Sequence, residues 1–151
     1  MHFQNLLTLF SFAIIASAQL TFNITQALAP GNFQKYRCLT TEMWNSRIPK
    51  CLHQCQIEAS KKDCCAFDDF ACRCANTQVF SDFIEPCAFP PAMGGSGTCT
   101  IPELLQVRPM VTDLCNFFNA TLYAAYTGCP QPLSKKKTYG IVASEEVIIT
   151  H

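Results

Sequence analysis

The chain has 151 residues, 49% of them hydrophobic, with eleven cysteines and eleven basic against eleven acidic side chains. A net charge of zero with no basic stripe argues against nucleic acid as a partner, and no acidic tract suggests a cation buffer. The length suits one domain better than two.

Residues 6–16 are apolar and lead into Ala16-Ser17-Ala18, small residues of the kind that signal peptidase accepts. Residues 1–18 are therefore expected to be a signal peptide cleaved before Gln19. The apolar run is too short for a membrane span, which takes roughly 20 residues. Residues 19–37, with Pro30-Gly31 as a turn signal, read as an N-terminal arm. Two triplets, Asn23-Ile24-Thr25 and Asn119-Ala120-Thr121, make Asn23 and Asn119 candidate glycosylation sites.

Helical signals start with a short turn at Thr40-Thr41-Glu42-Met43-Trp44. Pro49 is expected at a first helical position, opening a helix over residues 50–61 that places Cys51 and Cys55 on one face. Asp68 or Asp69 can cap a second short helix through Cys72 and Cys74. A third, from Thr77 to about Glu85, sets Val79, Phe80, Phe83 and Ile84 on one stripe.

Residues 88–98 contain Pro90-Pro91 and Gly94-Gly95-Ser96-Gly97, a flexible loop by composition. Thr100-Ile101-Pro102-Glu103 is a capping-box pattern opening an amphipathic helix through Leu104, Leu105, Val107, Val111, Leu114 and Cys115. Pro109 is expected to kink it. Residues 130–151 form a tail in which Glu145 and Glu146 interrupt the β-branched residues. Those charges exclude the hydrophobic tail of a lipid-anchor signal. The expected fold is all-α: a small disulfide-crosslinked helical domain over residues 38–129, with an N-terminal arm and a tail outside the core.

Nine of the eleven cysteines lie between Cys51 and Cys115. With a signal peptide and two sequons, they read as oxidised crosslinks. An odd count leaves at least one thiol over, and one of the adjacent pair Cys64 and Cys65 is the candidate. The C-x3-C and C-x-C spacings do not match zinc knuckles. An enzyme is not expected: there is no G-x-S-x-G, and of His2, His53 and His151 only His53 is a plausible base.

A CC pair followed by C-x-C superficially suggests plant lipid-transfer proteins. Too few residues separate Cys65 from Cys72 for that pattern, however, and it has no C-x3-C such as Cys51-Leu52-His53-Gln54-Cys55. The run Ile48-Pro49-Lys50-Cys51-Leu52-His53-Gln54-Cys55, then Cys65 and Asp69-Phe70-Ala71-Cys72-Arg73-Cys74, then Cys87, Cys99 and Cys115, resembles the CFEM domain of fungal extracellular and membrane-anchored proteins. Cys51, Cys55, Cys65, Cys72, Cys74, Cys87, Cys99 and Cys115 match that domain in order; Cys38, Cys64 and Cys129 lie outside the eight. A Cys38–Cys129 bridge would close the two ends and leave Cys64 over.

The resemblance implies a helical basket with four bridges, including Cys65–Cys72. It also implies an aspartate three positions before the C-x-C pair that ligates haem iron in haem-binding relatives; that position is Asp69. A carboxylate is a hard donor suited to ferric iron, and Phe67, Phe70, Phe80 and Phe83 are candidates for the flat apolar surface under a porphyrin. Against this stand plainer roles: Asp69 as a helix cap, the phenylalanines as core, His53 as a surface residue. The leading expectation is a secreted, non-enzymatic protein that binds ferric haem and relays it in extracellular iron acquisition, with haem or other haem-carrying surface proteins as partners. The alternatives are a host-directed effector or cell-wall protein without haem, and a lipid-carrying cage.

Overall fold

The fold is built around one long helix whose two faces are claimed by different parts of the chain. A computed structural model describes residues 19–134 and 140–144; the expected signal peptide and most of the expected tail lie outside the described residues. In chain order the elements are β1 (Gln19–Asn23), α1 (Ile24–Ala27), α2 (Asn32–Tyr36), α3 (Thr41–Asn45), a 3-10 turn Lys50–Leu52 running into α4 (His53–Ser60), α5 (Phe70–Ala75) and α6 (Thr77–Ala88). A 3-10 turn Pro91–Met93, α7 (Ile101–Thr121), a 3-10 turn Leu122–Tyr126 and β2 (Gly140–Ser144) follow. The fold is all-α and disulfide-rich; among the described residues its strand content is one short parallel pairing of β1 with β2, Gln19 opposite Gly140 through Asn23 opposite Ser144.

α7 begins where the sequence predicts. Thr100 accepts from the Glu103 N–H while the Glu103 side chain reaches back to the Thr100 N–H, completing the capping box. The helix continues through Pro109 to Thr121. Its C-terminal half buries Leu114, Phe117 and Phe118 in an aromatic cluster. Phe118 stacks on Tyr126 at 5.4 Å and on Phe70 at 6.0 Å, and Phe70 meets Trp44 edge-on. Such ring pairs add about 0.5–1.5 kcal/mol each beyond the area they bury.

Five bridges fasten the layers. Cys51–Cys99 and Cys55–Cys87 tie the α4 region to the start of α7 and to α6; Cys74–Cys115 ties α5 to α7. Cys65–Cys72 closes a short loop, and Cys38–Cys129 joins segments 91 residues apart. Cys64 is the free, exposed thiol. Each bridge stabilises typically by about 2–4 kcal/mol, chiefly by restricting the unfolded chain.

Local outcomes differ from the sequence expectations in three places. Pro49 is the cap of the Lys50–Leu52 turn, one position before the first helical residue. α6 does not stop near Glu85 but runs through Pro86 to Ala88. The Pro/Gly segment that reads as a flexible loop folds back on the end of α6: N–H groups of Ser96, Gly97 and Cys99 donate to the carbonyls of Pro86, Phe89 and Ala88, taking up acceptors a helix end leaves open. The glycines are required by that approach, since a Cβ on Gly95 would lie 2.1 Å from the Phe89 carbonyl oxygen and one on Gly97 2.2 Å from that of Cys87.

Residues 19–37 pack along α7, with Ala27 and Tyr36 fully buried. Asp113 of α7 holds them: it accepts from the Tyr36 hydroxyl at 2.5 Å, from Lys35 Nζ at 2.8 Å and from Asn32 Nδ2 at 3.3 Å. Burial alone would raise the Asp113 pKa, but the hydrogen bonds from Lys35 and Tyr36 outweigh it and hold the carboxyl below its usual 3.8. Burial, then the bond to Asp113, pushes the Tyr36 phenol up to about 12.

A depressed carboxyl contributes stability fully above pH 3.8 and loses it as pH falls through the folded value. A raised phenol contributes below pH 10 and loses it as pH climbs toward 12. Asp113→Asn should therefore lower unfolding stability by about 1–3 kcal/mol near neutrality. The difference from the parent should shrink below pH 4 in chemical denaturation; a constant difference down to pH 2 would remove the carboxylate from this role.

Candidate functional site

The segment from Asp63 to Cys74 is where the C-x-C motif meets the rest of the molecule. Asp69 is the N-cap of α5: its Oδ1 accepts from the Cys72 N–H at 2.9 Å. Its Oδ2 accepts from the backbone N–H of Ser134 at 2.8 Å, and Asp69 has 0% exposure. Ser134 also accepts, at its Oγ, from the Ala66 N–H at 2.7 Å. The chain after the Cys38–Cys129 bridge thus lies across the Cys65–Cys72 loop, and Gln131 donates to the Leu39 carbonyl beside it.

The neighbouring Asp68 faces another way. Its Oδ1 accepts from the Thr41 N–H at 2.6 Å, while the Thr41 hydroxyl donates to the Phe67 carbonyl. Tyr126 closes the turn from the far side: its hydroxyl donates to the Asp68 carbonyl at 3.0 Å and accepts from the Phe70 N–H at 2.8 Å. Burial pushes the Tyr126 phenol upward, so it stays protonated and able to donate. The adjacent carboxylates are spent on separate backbone donors rather than paired across a cleft.

Arg73, between the two C-x-C cysteines, is 4% exposed. Its Nε donates to Asp63 at 3.0 Å and its Nη2 to the Phe67 carbonyl at 2.8 Å. Asp63 is 1% exposed and its other oxygen accepts from the Cys65 N–H. The guanidinium lies 4.7 Å from the Phe70 ring centre and 5.0 Å from that of Phe80. Burial lowers the Arg73 pKa and the Asp63 charge opposes that; an arginine stays cationic under such pressure. Sequence reading missed both residues. The available signal was a long cation confined between two crosslinked cysteines, which needs a buried anion nearby.

Above Arg73 opens a chamber of about 630 Å³ between α4, α6 and α7. Trp44, Leu52, Phe70, Phe80, Ile84 and Leu104 are among its apolar walls, and Arg73 lies in its lining. Exposed Leu105, Arg108 and Val111 mark its solvent side. Asp69 is not part of it.

The four phenylalanines proposed as one haem surface do not form one. Phe70 is in the core with 0% exposure, Phe80 covers Arg73 in the chamber wall, and Phe67 and Phe83 are exposed outside it. The helical turn at 70–75 sends Phe70 inward while Phe67 precedes the cap and points elsewhere. His53 holds the Ile48 carbonyl at 3.1 Å through Nε2. Among the described residues no cluster of three or more His, Cys, Asp or Glu side chains could hold a metal ion. Asn119 is 8% exposed within α7; Asn23 is half-buried and caps α1 through its Oδ1.

Residues 44–116 match the family model described as the CFEM domain. No curated protein and no solved structure matches the chain.

Asp69→Ala should lower unfolding stability by about 1.5–3 kcal/mol, because it leaves two N–H groups without their acceptor, that of Cys72 buried and that of Ser134 part-buried. Asp68→Ala should cost less, since Asp68 is itself half-buried and its carboxylate accepts from one N–H, that of Thr41. Denaturant unfolding of both variants checks the order; equal or reversed losses would mean that Asp69 is not the principal cap of this segment.

Proposed function

The chain carries a CFEM domain, a non-enzymatic family, and from that footing we propose that it is a non-enzymatic extracellular interaction protein. In the folded arrangement Asp69 serves it as a structural cap rather than as an iron ligand. CFEM proteins are extracellular or cell-wall associated. Among the described residues no helix is long and apolar enough to cross a membrane. The partner on this reading is a host or cell-wall component.

The observation that supports it is the environment of Asp69. An axial carboxylate needs one oxygen free and a porphyrin-sized clearance beside it. Asp69 has no exposed surface, and each of its oxygens holds a backbone N–H. The residues present do not fit ferric haem at that position in this arrangement. The rest of the turn is equally committed, since Asp68, Tyr126 and Phe70 are fastened to one another and to α3.

A second reading rests on one specific contact. The Oδ2 partner comes from Ser134, outside the CFEM match, so lifting residues 130–134 would free that oxygen without unfolding α5. On that reading the protein is a haem carrier with a removable cover.

Titration of the oxidised protein with ferric haem separates the two. The interaction-protein reading expects no saturable Soret shift in the parent, and none in Ser134→Pro, which deletes the N–H on Oδ2 while leaving Asp69 in place. A saturable shift that strengthens in Ser134→Pro and disappears in a folded Asp69→Ala would overturn it in favour of the covered carrier. Loss in His53→Ala instead would move the ligand to that side chain.

A further inference from the structure

The chamber between α4, α6 and α7 is unlike an ordinary packing defect. Its volume of about 630 Å³ lies within the ~300–1,000 Å³ common to small-molecule sites. Its walls are aromatic and aliphatic, and it holds a cation that is nearly inaccessible to water. Arg73 has three nitrogens to satisfy. Nε is taken by Asp63 and Nη2 by the Phe67 carbonyl, while Nη1 is buried and has no hydrogen-bond partner among the described residues. A buried donor left unmade is destabilising, more so when charged. The rings of Phe70 and Phe80 flank the guanidinium, and a π-face does not replace an in-plane acceptor.

We propose that this chamber binds an apolar small molecule carrying one uncharged oxygen acceptor, a hydroxyl or carbonyl, which takes the Nη1 hydrogens of Arg73 while the hydrocarbon fills the space among Trp44, Leu52, Phe80 and Leu104. The charge balance selects a neutral group over a carboxylate. Asp63 lies directly against the guanidinium and is itself 1% exposed, so the pair already sums to zero. A carboxylate added at Nη1 would bring a second buried anion to one buried cation, with its desolvation uncompensated. An alcohol or ketone oxygen completes the guanidinium without that cost. The mouth does not reverse the preference: Arg108 and Glu85, both exposed and of opposite sign, line the same opening.

The full oxidised chain, loaded with the neutral fluorophore 1-aminoanthracene, can be challenged with decan-1-ol, decan-2-one, decanoate and decane. The alcohol and ketone should displace it about 3–10-fold more tightly than decane, the range one net hydrogen bond supplies, and decanoate should compete more weakly than either. Val111→Trp, at the exposed edge of α7, should abolish displacement by all four without changing the melting temperature. Asp63→Leu combined with Arg73→Met removes both charges together and leaves the part-buried Cys65 N–H and Phe67 carbonyl to water; with an unchanged circular dichroism spectrum, it should keep decane binding and erase the preference for oxygen. Decane binding as tightly as decanol in the parent overturns the role of Arg73. Decanoate binding tightest overturns the charge argument, and no probe binding in the parent overturns the chamber as a site.

Discussion

The buried pair of Asp63 and Arg73 is the constraint on which the centre of this molecule depends. Arg73 stands between Cys72 and Cys74, each bridged to a different part of the chain. Its backbone is therefore held on both sides, and the guanidinium is kept in the interior by Asp63 and the Phe67 carbonyl. Asp63 answers the charge and at the same time holds the Cys65 N–H, so one carboxylate both neutralises the cation and starts the turn that closes on Cys72. A buried ion pair is not a strong source of net stability against apolar residues of the same volume. Removing one partner alone is a different matter, costing about 3–5 kcal/mol. The pair is best understood as specifying one arrangement of the loop rather than as strengthening it.

Around that pair the consecutive residues of the turn are dealt outward in alternation. Phe67 gives its carbonyl to Arg73 and Thr41, Asp68 reaches α3, Asp69 caps α5, and Phe70 enters the aromatic core. Tyr126 reads the backbone of two of them from the opposite side. Four neighbours thus make four separate commitments, which leaves none of them free to present a flat face to a large ligand. The space that does exist lies on the other side of Arg73, where α6 and α7 diverge.

What was legible in the sequence was what depends on neighbours in the chain. The capping box at Thr100 and Glu103, the cap before Cys72, the helical stripes and the order of the cysteines are local patterns with local physics. The Pro/Gly segment after Ala88 was readable as a turn region but not as a structured one. Its glycines are dictated by the carbonyls of Cys87 and Phe89 that they approach, and composition does not carry that distance. The roles of Asp113, Ser134 and Tyr126 were hidden for a similar reason: each acts on residues far away in the chain. Nothing around Asp113 distinguishes it from a solvated helix position. Arg73 stands in the motif itself, but its counter-charge Asp63 lies ten residues away, outside the motif.

The Cys38–Cys129 bridge has a consequence for how this chain meets proteases. The other four bridges all lie inside the ring it closes. A single cut at any peptide bond between those two cysteines therefore yields two segments that remain one covalent molecule. Damage to an exposed loop would not release a fragment or change the mass beyond one water until the sulfurs were reduced. Topologically the domain behaves as a closed loop with two free ends, so backbone cleavage and loss of the molecule are separate events.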